Sequence, residues 1–268
     1  PETPVARRPG DRPSPPAAPP AVRGRAGMIL DLDWWVAAAC LLIMAIGASV
    51  QATIGIGMGM LAAPVLGLAD PAFLPATIMI SVLPLSTGVA MRDWDAVNWE
   101  DVRTAFTGRV PGIAIGAVFV ALTGPRAVAV VVALSVLTAV AASLTSFRFR
   151  TTRRNLRIAG VFSGVFGTAA GIGGPPMALT YQHETARVMR ATLAVYFGFG
   201  SALSILALML AGEVGRRQIE LSLLLLPAVM AGLALSRPVI ARLPESKVRA
   251  TVLVLCTISS LALLVEAI

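Results

Sequence analysis

Long unbroken apolar runs separated by short polar connections dominate this chain. It shows neither the alternation of a half-buried strand nor the one-sided stripe of a surface helix. The runs lie at roughly 34–52, 72–91, 102–122, 125–147, 156–172, 188–211, 218–241 and 248–268. Each approaches or exceeds the ~20 apolar residues that cross a bilayer as an α-helix. Two shorter apolar pieces, about 58–69 and 174–182, follow glycine clusters and are too short to cross as straight helices. The pattern predicts an all-α fold: a polytopic integral membrane protein with about eight long transmembrane helices and two short half-helices.

The same order of pieces occurs twice. Gly55-Ile56-Gly57 recurs as Gly171-Ile172-Gly173, 116 positions later. Ala76-Thr77 recurs as Ala191-Thr192 at an offset of 115, and Pro111 with Gly116 recurs as Pro227 with Gly232 at 116. The spacing predicts two internally duplicated halves, with residues 28–147 as the first membrane repeat, 148–157 as a basic link and 158–268 as the second repeat. The stretch from Phe147 to Arg157, FRFRTTRRNLR, holds five arginines, and a short loop this basic belongs on the cytoplasmic side.

Two topologies are open. If each short piece crosses, every half has five crossings and the halves are inverted. Arg92, Arg103, Arg187, Arg190, Arg242, Lys247 and Arg249 then share the cytoplasmic side with the link, leaving Arg126, Arg216 and Arg217 outside. If the short pieces only dip in and return, each half has four crossings and the halves are parallel. Inversion obeys the charge rule better and is the expectation.

Composition agrees with a lipid-embedded chain: of 268 residues, 56% are hydrophobic and only 13% charged. The net charge of +8 would suggest nucleic acid in a soluble domain, but here the arginines gather in short loops and at the N-terminus. Cys40 and Cys256 both sit in apolar runs, and a single histidine rules out a His-rich metal site, so no cofactor or metal is expected. Residues 1–27, rich in Pro, Arg and Ala, are expected to be a disordered tail; they lack the apolar core of a secretory signal peptide. With Met28 next, this tail reads as an upstream extension.

The glycine clusters are the candidate chemistry. Neither the G-x-G-x-x-G nor the P-loop spacing is present, and no charged residue occurs between Trp34 and Ala69, so a nucleotide loop is not indicated. Within a bilayer an unwound backbone is tolerated where protein or water satisfies it, and half-helices starting there direct N–H groups at the occupant. An anion is favoured. In the second copy, GTAAGIGGPPMALTY, Pro175 and Pro176 make the break explicit, since proline is tolerated in a helix's first turn. Candidate substrate-binding residues are Gln51, Thr53, Gly55, Gly57, Gly59, Thr168, Gly171, Gly173, Gly174, Pro175, Arg190 and Thr192. Ser49 also lies close to the first break, although serine and threonine in membrane helices often bond only their own backbone. Gly160 and Gly164 are expected to serve close helix packing. Arg109 lies about 12 Å of helix rise beyond Asp101; it must snorkel, pair or serve a cavity, and snorkelling is the expectation.

The paired motifs GIGMGMLAAPVL and GIGGPPMALTY, with RATLAVYF from Arg190 to Phe197 and the two-half layout, resemble the sulfite exporter (TauE/SafE) family of membrane permeases. The resemblance covers residues 34–268. It implies a multi-pass permease of the prokaryotic inner membrane that exports a small sulfur-containing anion such as sulfite or an organosulfonate. The implied partners are that small anion and the lipid bilayer, with no nucleic acid. An anion channel or a non-transporting membrane subunit remains an alternative. An intramembrane hydrolase with Ser201 as nucleophile is a further one, and it would need His183 as its base. A loop role is expected for His183 and Glu184, and no enzymatic activity is expected.

Overall fold

The computed structural model describes residues 28–144, 151–181, 183–236 and 245–268. The expected tail, the arginines of the link before Thr151, and Arg242 lie outside the described residues, as do the side chains of Lys247 and Arg249. A two-residue hairpin, β1 (Met28–Ile29) and β2 (Leu32–Asp33), precedes a wholly helical chain. The first five helices are α1 (Trp34–Ile54), α2 (Met58–Ala69), α3 (Ala76–Arg92), α4 (Trp99–Leu122) and α5 (Pro125–Leu144). After the link come α6 (Arg153–Ala170), α7 (Gly174–Thr180), α8 (Ala186–Leu210), α9 (Arg216–Leu235) and α10 (Glu245–Ala267).

Six of these, α1, α4, α5, α8, α9 and α10, are long and apolar enough to cross a membrane. The sequence predicted about eight. The difference falls on two runs. In 72–91 a short 3-10 turn at Pro71–Phe73 takes the first residues, leaving α3 with 17. In 156–172 the helix starts earlier, at Arg153, so that α6 carries Arg153, Arg154 and Arg157 in its first turns.

Polar contacts between chain ends fix the path of the chain. Arg217, at the start of α9, reaches both Asp31 before α1 and Asp70 after α2, at 3.5 and 2.9 Å. The chain therefore leaves and returns to one end of the molecule through α1 and α2, which pack together as a hairpin closed by Gly55–Gly57. At the other end Arg153 of α6 binds Glu100 of α4 at 2.7 Å, and Tyr181 after α7 donates to Asp101 of α4 at 3.1 Å. Thus α6 and α7 form a second return hairpin, entering from the opposite end. In this path each short helix carries the chain back toward the end from which its long partner started, the placement expected when each short piece crosses and not the one expected when the short pieces dip in and return.

The end that holds Glu100 and Arg153 also carries Arg92, Arg103, Arg187 and Arg190 and is the basic end. Three helices begin there behind side-chain N-caps: Asn98, Thr152 and Thr185 accept from the N–H groups of Asp101, Asn155 and Val188. Such caps contribute about 1 kcal/mol each.

Packing follows small residues. Helices α4 and α6 approach so closely that a methyl on Gly108 would overlap the Arg157 carbonyl, and one on Gly160 the Ala105 carbonyl. Gly164 likewise sits against the Arg109 carbonyl. The expectation of close packing for Gly160 and Gly164 is met. Across the molecule α1 packs on α9 in the manner of α4 on α6, α3 packs on α9 as α8 does on α4, and α3 faces α8 at the centre.

Candidate functional site

The two glycine breaks are local consequences of sequence. Helix α1 ends at Gly55, φ 99°, and α2 begins after Gly57, φ 131°; α6 ends at Gly171, φ 74°. A side chain is strained at such angles, so glycine is the residue that lets each helix stop and turn back. Pro175 and Pro176 occupy the first turn of α7, where a missing N–H costs nothing.

The breaks touch. A methyl on Gly59 would overlap the Gly171 carbonyl, and one on Gly174 would lie 3.3 Å from Ile56. Between them is a cavity of about 30 Å³, lined by Gln51, Gly57, Gly59 and Met60 from the first hairpin and by Gly167 and Gly171 to Gly174 from the second. Met79, Val82, Phe197, Ser201 and Arg109 close its remaining walls. This volume admits water-sized guests.

Arg109 dominates the electrostatics. It is 1% exposed, the largest fully buried side chain of the described residues. The snorkelling expected from sequence does not occur, because its position on α4 faces the packed interior. The guanidinium lies over the Tyr196 ring, 4.4 Å from the centroid, and 5.7 Å from that of Phe197. Its Nη1 donates to Ser163 Oγ at 3.2 Å, and Ser163 in turn donates to the Gly173 carbonyl at 2.7 Å. The charge is thereby tied to the second break. Nε has no hydrogen-bond partner, and among the described residues no carboxylate pairs with Arg109. Gly200 leaves the space that the guanidinium fills.

On the first break, the Met58 N–H donates to Gln51 Oε1 at 3.1 Å, so Gln51 caps the start of α2. The N–H groups of Gly59 and Met60 belong to that helix's first turn, where no intrahelical acceptor exists, and both residues line the cavity.

Eight of the sequence candidates are brought together here or form the breaks themselves: Gln51, Gly57, Gly59, Gly171, Gly173 and Gly174 line the cavity, Pro175 stands just behind them, and Gly55 ends α1 at the first break, packed on the backbone of Arg190. Four stand apart. Thr53 bonds the carbonyls of Ser49 and Ser236 at 2.8 and 3.3 Å. Thr168 bonds Ser204 at 2.8 Å, and Thr192 accepts from the Asn98 N–H at 3.0 Å. Arg190 lies at the basic end, bound to Asp93 at 2.8 Å. Arg109 and Ser163 are the residues that sequence reasoning left out of the site. The signal for Arg109 was its depth in α4.

Ser201 lines the cavity, but His183 is exposed in the turn before α8. Ser201 lies 15 residues beyond the first residue of α8, about 22 Å of helix rise, so His183 does not supply the base a serine nucleophile would need. Among the described residues no group of three or more His, Cys, Asp or Glu side chains gathers to hold a metal.

Neither a curated protein nor a solved structure matches this chain. Two return hairpins meeting at glycine breaks, inside a bundle of membrane-spanning helices, accord with what a family comparison gives: residues 39–263 match the sulfite exporter TauE/SafE family, and the chain belongs to that family.

Proposed function

We propose that this permease exports a small sulfur-containing anion, sulfite or an organosulfonate, and that Arg109 is the counter-charge of its binding site. The observation that carries the reading is the burial of Arg109 at the cavity without an acidic partner. An uncompensated buried charge costs several kcal/mol. Pairing with a carboxylate would remove that cost and also fill the site. An anionic guest removes it transiently, which is what a carrier requires. The N–H groups at the start of α2 and the hydroxyl of Ser163 add hydrogen-bond donors around the same space.

Duplicated and inverted halves support a carrier that exposes one central site to either side in turn. The shared order of hairpin and helices, the sequence offsets and the matching helix pairs favour that duplication. The positive-inside rule assigns the basic end to the cytoplasm, with Arg126, Arg216 and Arg217 opposite.

The test is sulfite flux in proteoliposomes with wild-type protein, Arg109→Gln and Arg109→Lys. Both variants should insert and purify. Arg109→Gln should lose at least about tenfold in flux, the effect of 1.4 kcal/mol, and Arg109→Lys should retain part of it. Full flux from Arg109→Gln would sink the assignment.

A further inference from the structure

A second cavity lies at the basic end, on the outside of the close-packed α4 and α6 pair. It measures about 470 Å³ and is lined by Glu100, Arg103, Thr104, Arg153 and Arg157. Arg103 and Arg157 are exposed, and the one acidic lining residue, Glu100, is engaged by Arg153 at 2.7 Å. Three positive charges against one negative leave the groove with an excess of two. Further along the same two helices the outward residues are apolar: Val110, Ile115 and Val118 on α4 and Ile158 and Phe162 on α6 are each between 46% and 57% exposed.

We propose that this groove is a binding site for an anionic phospholipid, with the phosphate held by Arg103 and Arg157 and the acyl chains lying along the apolar faces of α4 and α6. A basic recess between helices at the cytoplasmic interface, continuous with an apolar surface, is complementary to a negatively charged headgroup on two chains. Free phosphate would use the arginines and leave the apolar track unused. The glycine contacts make the groove shallow enough for a headgroup to reach both helices, because Gly108 and Gly160 bring the two backbones together. The same helices hold Arg109 and Ser163 six residues further in, so a lipid bridging Arg103 and Arg157 braces the pair that forms the central contact. The proposal uses the membrane orientation given above but not the chemistry assigned to Arg109.

The test compares delipidated wild-type protein in neutral detergent with the double variant Arg103→Gln/Arg157→Gln and with Arg126→Gln, which changes a charge at the opposite end. Each is titrated with phosphatidylglycerol, phosphatidylcholine and inorganic phosphate, and bound lipid and thermal unfolding are measured. Wild type and Arg126→Gln should bind and be stabilised by phosphatidylglycerol alone. Two arginines near a charged interface are worth about fivefold each, so the double variant should bind about 25-fold more weakly. Equal binding by the double variant overturns the site, and equal stabilisation by inorganic phosphate or phosphatidylcholine overturns the anionic lipid as its occupant. If the double variant purifies poorly, Arg157→Gln alone should weaken binding about fivefold, and an unchanged affinity there also overturns the proposal.

Discussion

Arg190 donates to the Asp93 carboxylate through both Nε, at 2.9 Å, and Nη2, at 2.8 Å, tying the start of α8 to the residue that ends α3. The same arginine reaches the Thr53 carbonyl at 3.3 Å, while Arg92 reaches that of Ala52 at 2.8 Å. The last carbonyls of α1 thus receive two cations, the favoured charge at a helix C-terminus. Asp93 holds these cations in place, so the ion-pair cluster fastens the first glycine break to the basic end of the molecule.

Replacing Asp93 with Asn should destabilise the protein by about 3 kcal/mol, the low end for breaking a buried pair, because Arg187 and Arg190 keep contact with solvent. Burial alone would raise the Asp93 carboxyl pKa. The hydrogen bond and charge of Arg190, then the charge of Arg92 and the hydrogen bond of Arg187, outweigh burial and hold it below the ordinary carboxylate value. The ionised network therefore contributes fully above the unfolded value of about 3.9 and is lost as pH falls through the lower folded value. Thermal unfolding in detergent should show a fall in wild-type stability below about pH 4 that Asp93→Asn lacks. Identical pH profiles would remove Asp93 from this role.

Glycines in the site separate two kinds of failure. Gly200→Ala places a methyl on the Arg109 guanidinium, which is held between Tyr196 and Ser163. The side chain must shift, and the overpacking should cost about 1–3 kcal/mol together with a loss of flux from protein that still folds. Gly59→Ala instead meets the Gly171 carbonyl, and backbone at a break cannot yield so easily. Purified yield should drop for Gly59→Ala, whereas for Gly200→Ala flux per molecule should drop. The reverse pattern would mean that the guanidinium pocket is structural and the contact between the breaks is dispensable.

The positions of the breaks were legible in sequence because their causes are local: glycine permits left-handed backbone, and Pro175-Pro176 fits a first helical turn. The path of the chain was legible in part: the five-crossing arrangement already has α2 carrying the chain back to the side where α1 began, but the contacts that hold it there, Arg217 with both Asp31 and Asp70 across more than a hundred residues of chain, were not. Depth along α4 made Arg109 conspicuous but did not reveal which way it faced, which is settled by Gly200 leaving room and by Tyr196 and Ser163 receiving it. Thr168 and Thr192 lay close to the motifs in sequence, yet their hydroxyls serve Ser204 and the start of α4.

The hairpin topology makes an accessibility pattern that differs from the parallel arrangement. Thr152 caps α6 at the basic end, whereas Pro71 follows Asp70 and Gly215 precedes Arg217 at the other. Single cysteines at Pro71 and Gly215 should both react with a membrane-impermeant reagent in intact cells, and one at Thr152 only after permeabilisation. Cys40 and Cys256 are buried and should give little background. Reaction at Thr152 in intact cells would reverse the orientation, and a split between Pro71 and Gly215 would break the hairpin model.

Under the proposed function, export should be driven by the membrane potential. Among the described residues the charged side chain lining the central cavity is Arg109 and no Asp or Glu lines it, so these residues offer no carboxylate at the site to carry a proton with the substrate. A potential negative inside drives anions outward at about 2.3 kcal/mol per charge per 100 mV. A dianion such as sulfite gains about 4.6 kcal/mol on leaving, a concentration ratio above about 10³ at about 1.4 kcal/mol per tenfold. In proteoliposomes, an imposed potassium diffusion potential should therefore change sulfite flux in both size and direction, and Arg109→Gln should abolish the response. A second arm varies the pH gradient at zero potential and should have little effect. If flux follows the proton gradient and ignores the potential, potential-driven export is wrong. If no sulfur anion moves under either condition while the protein is folded, the substrate assignment fails.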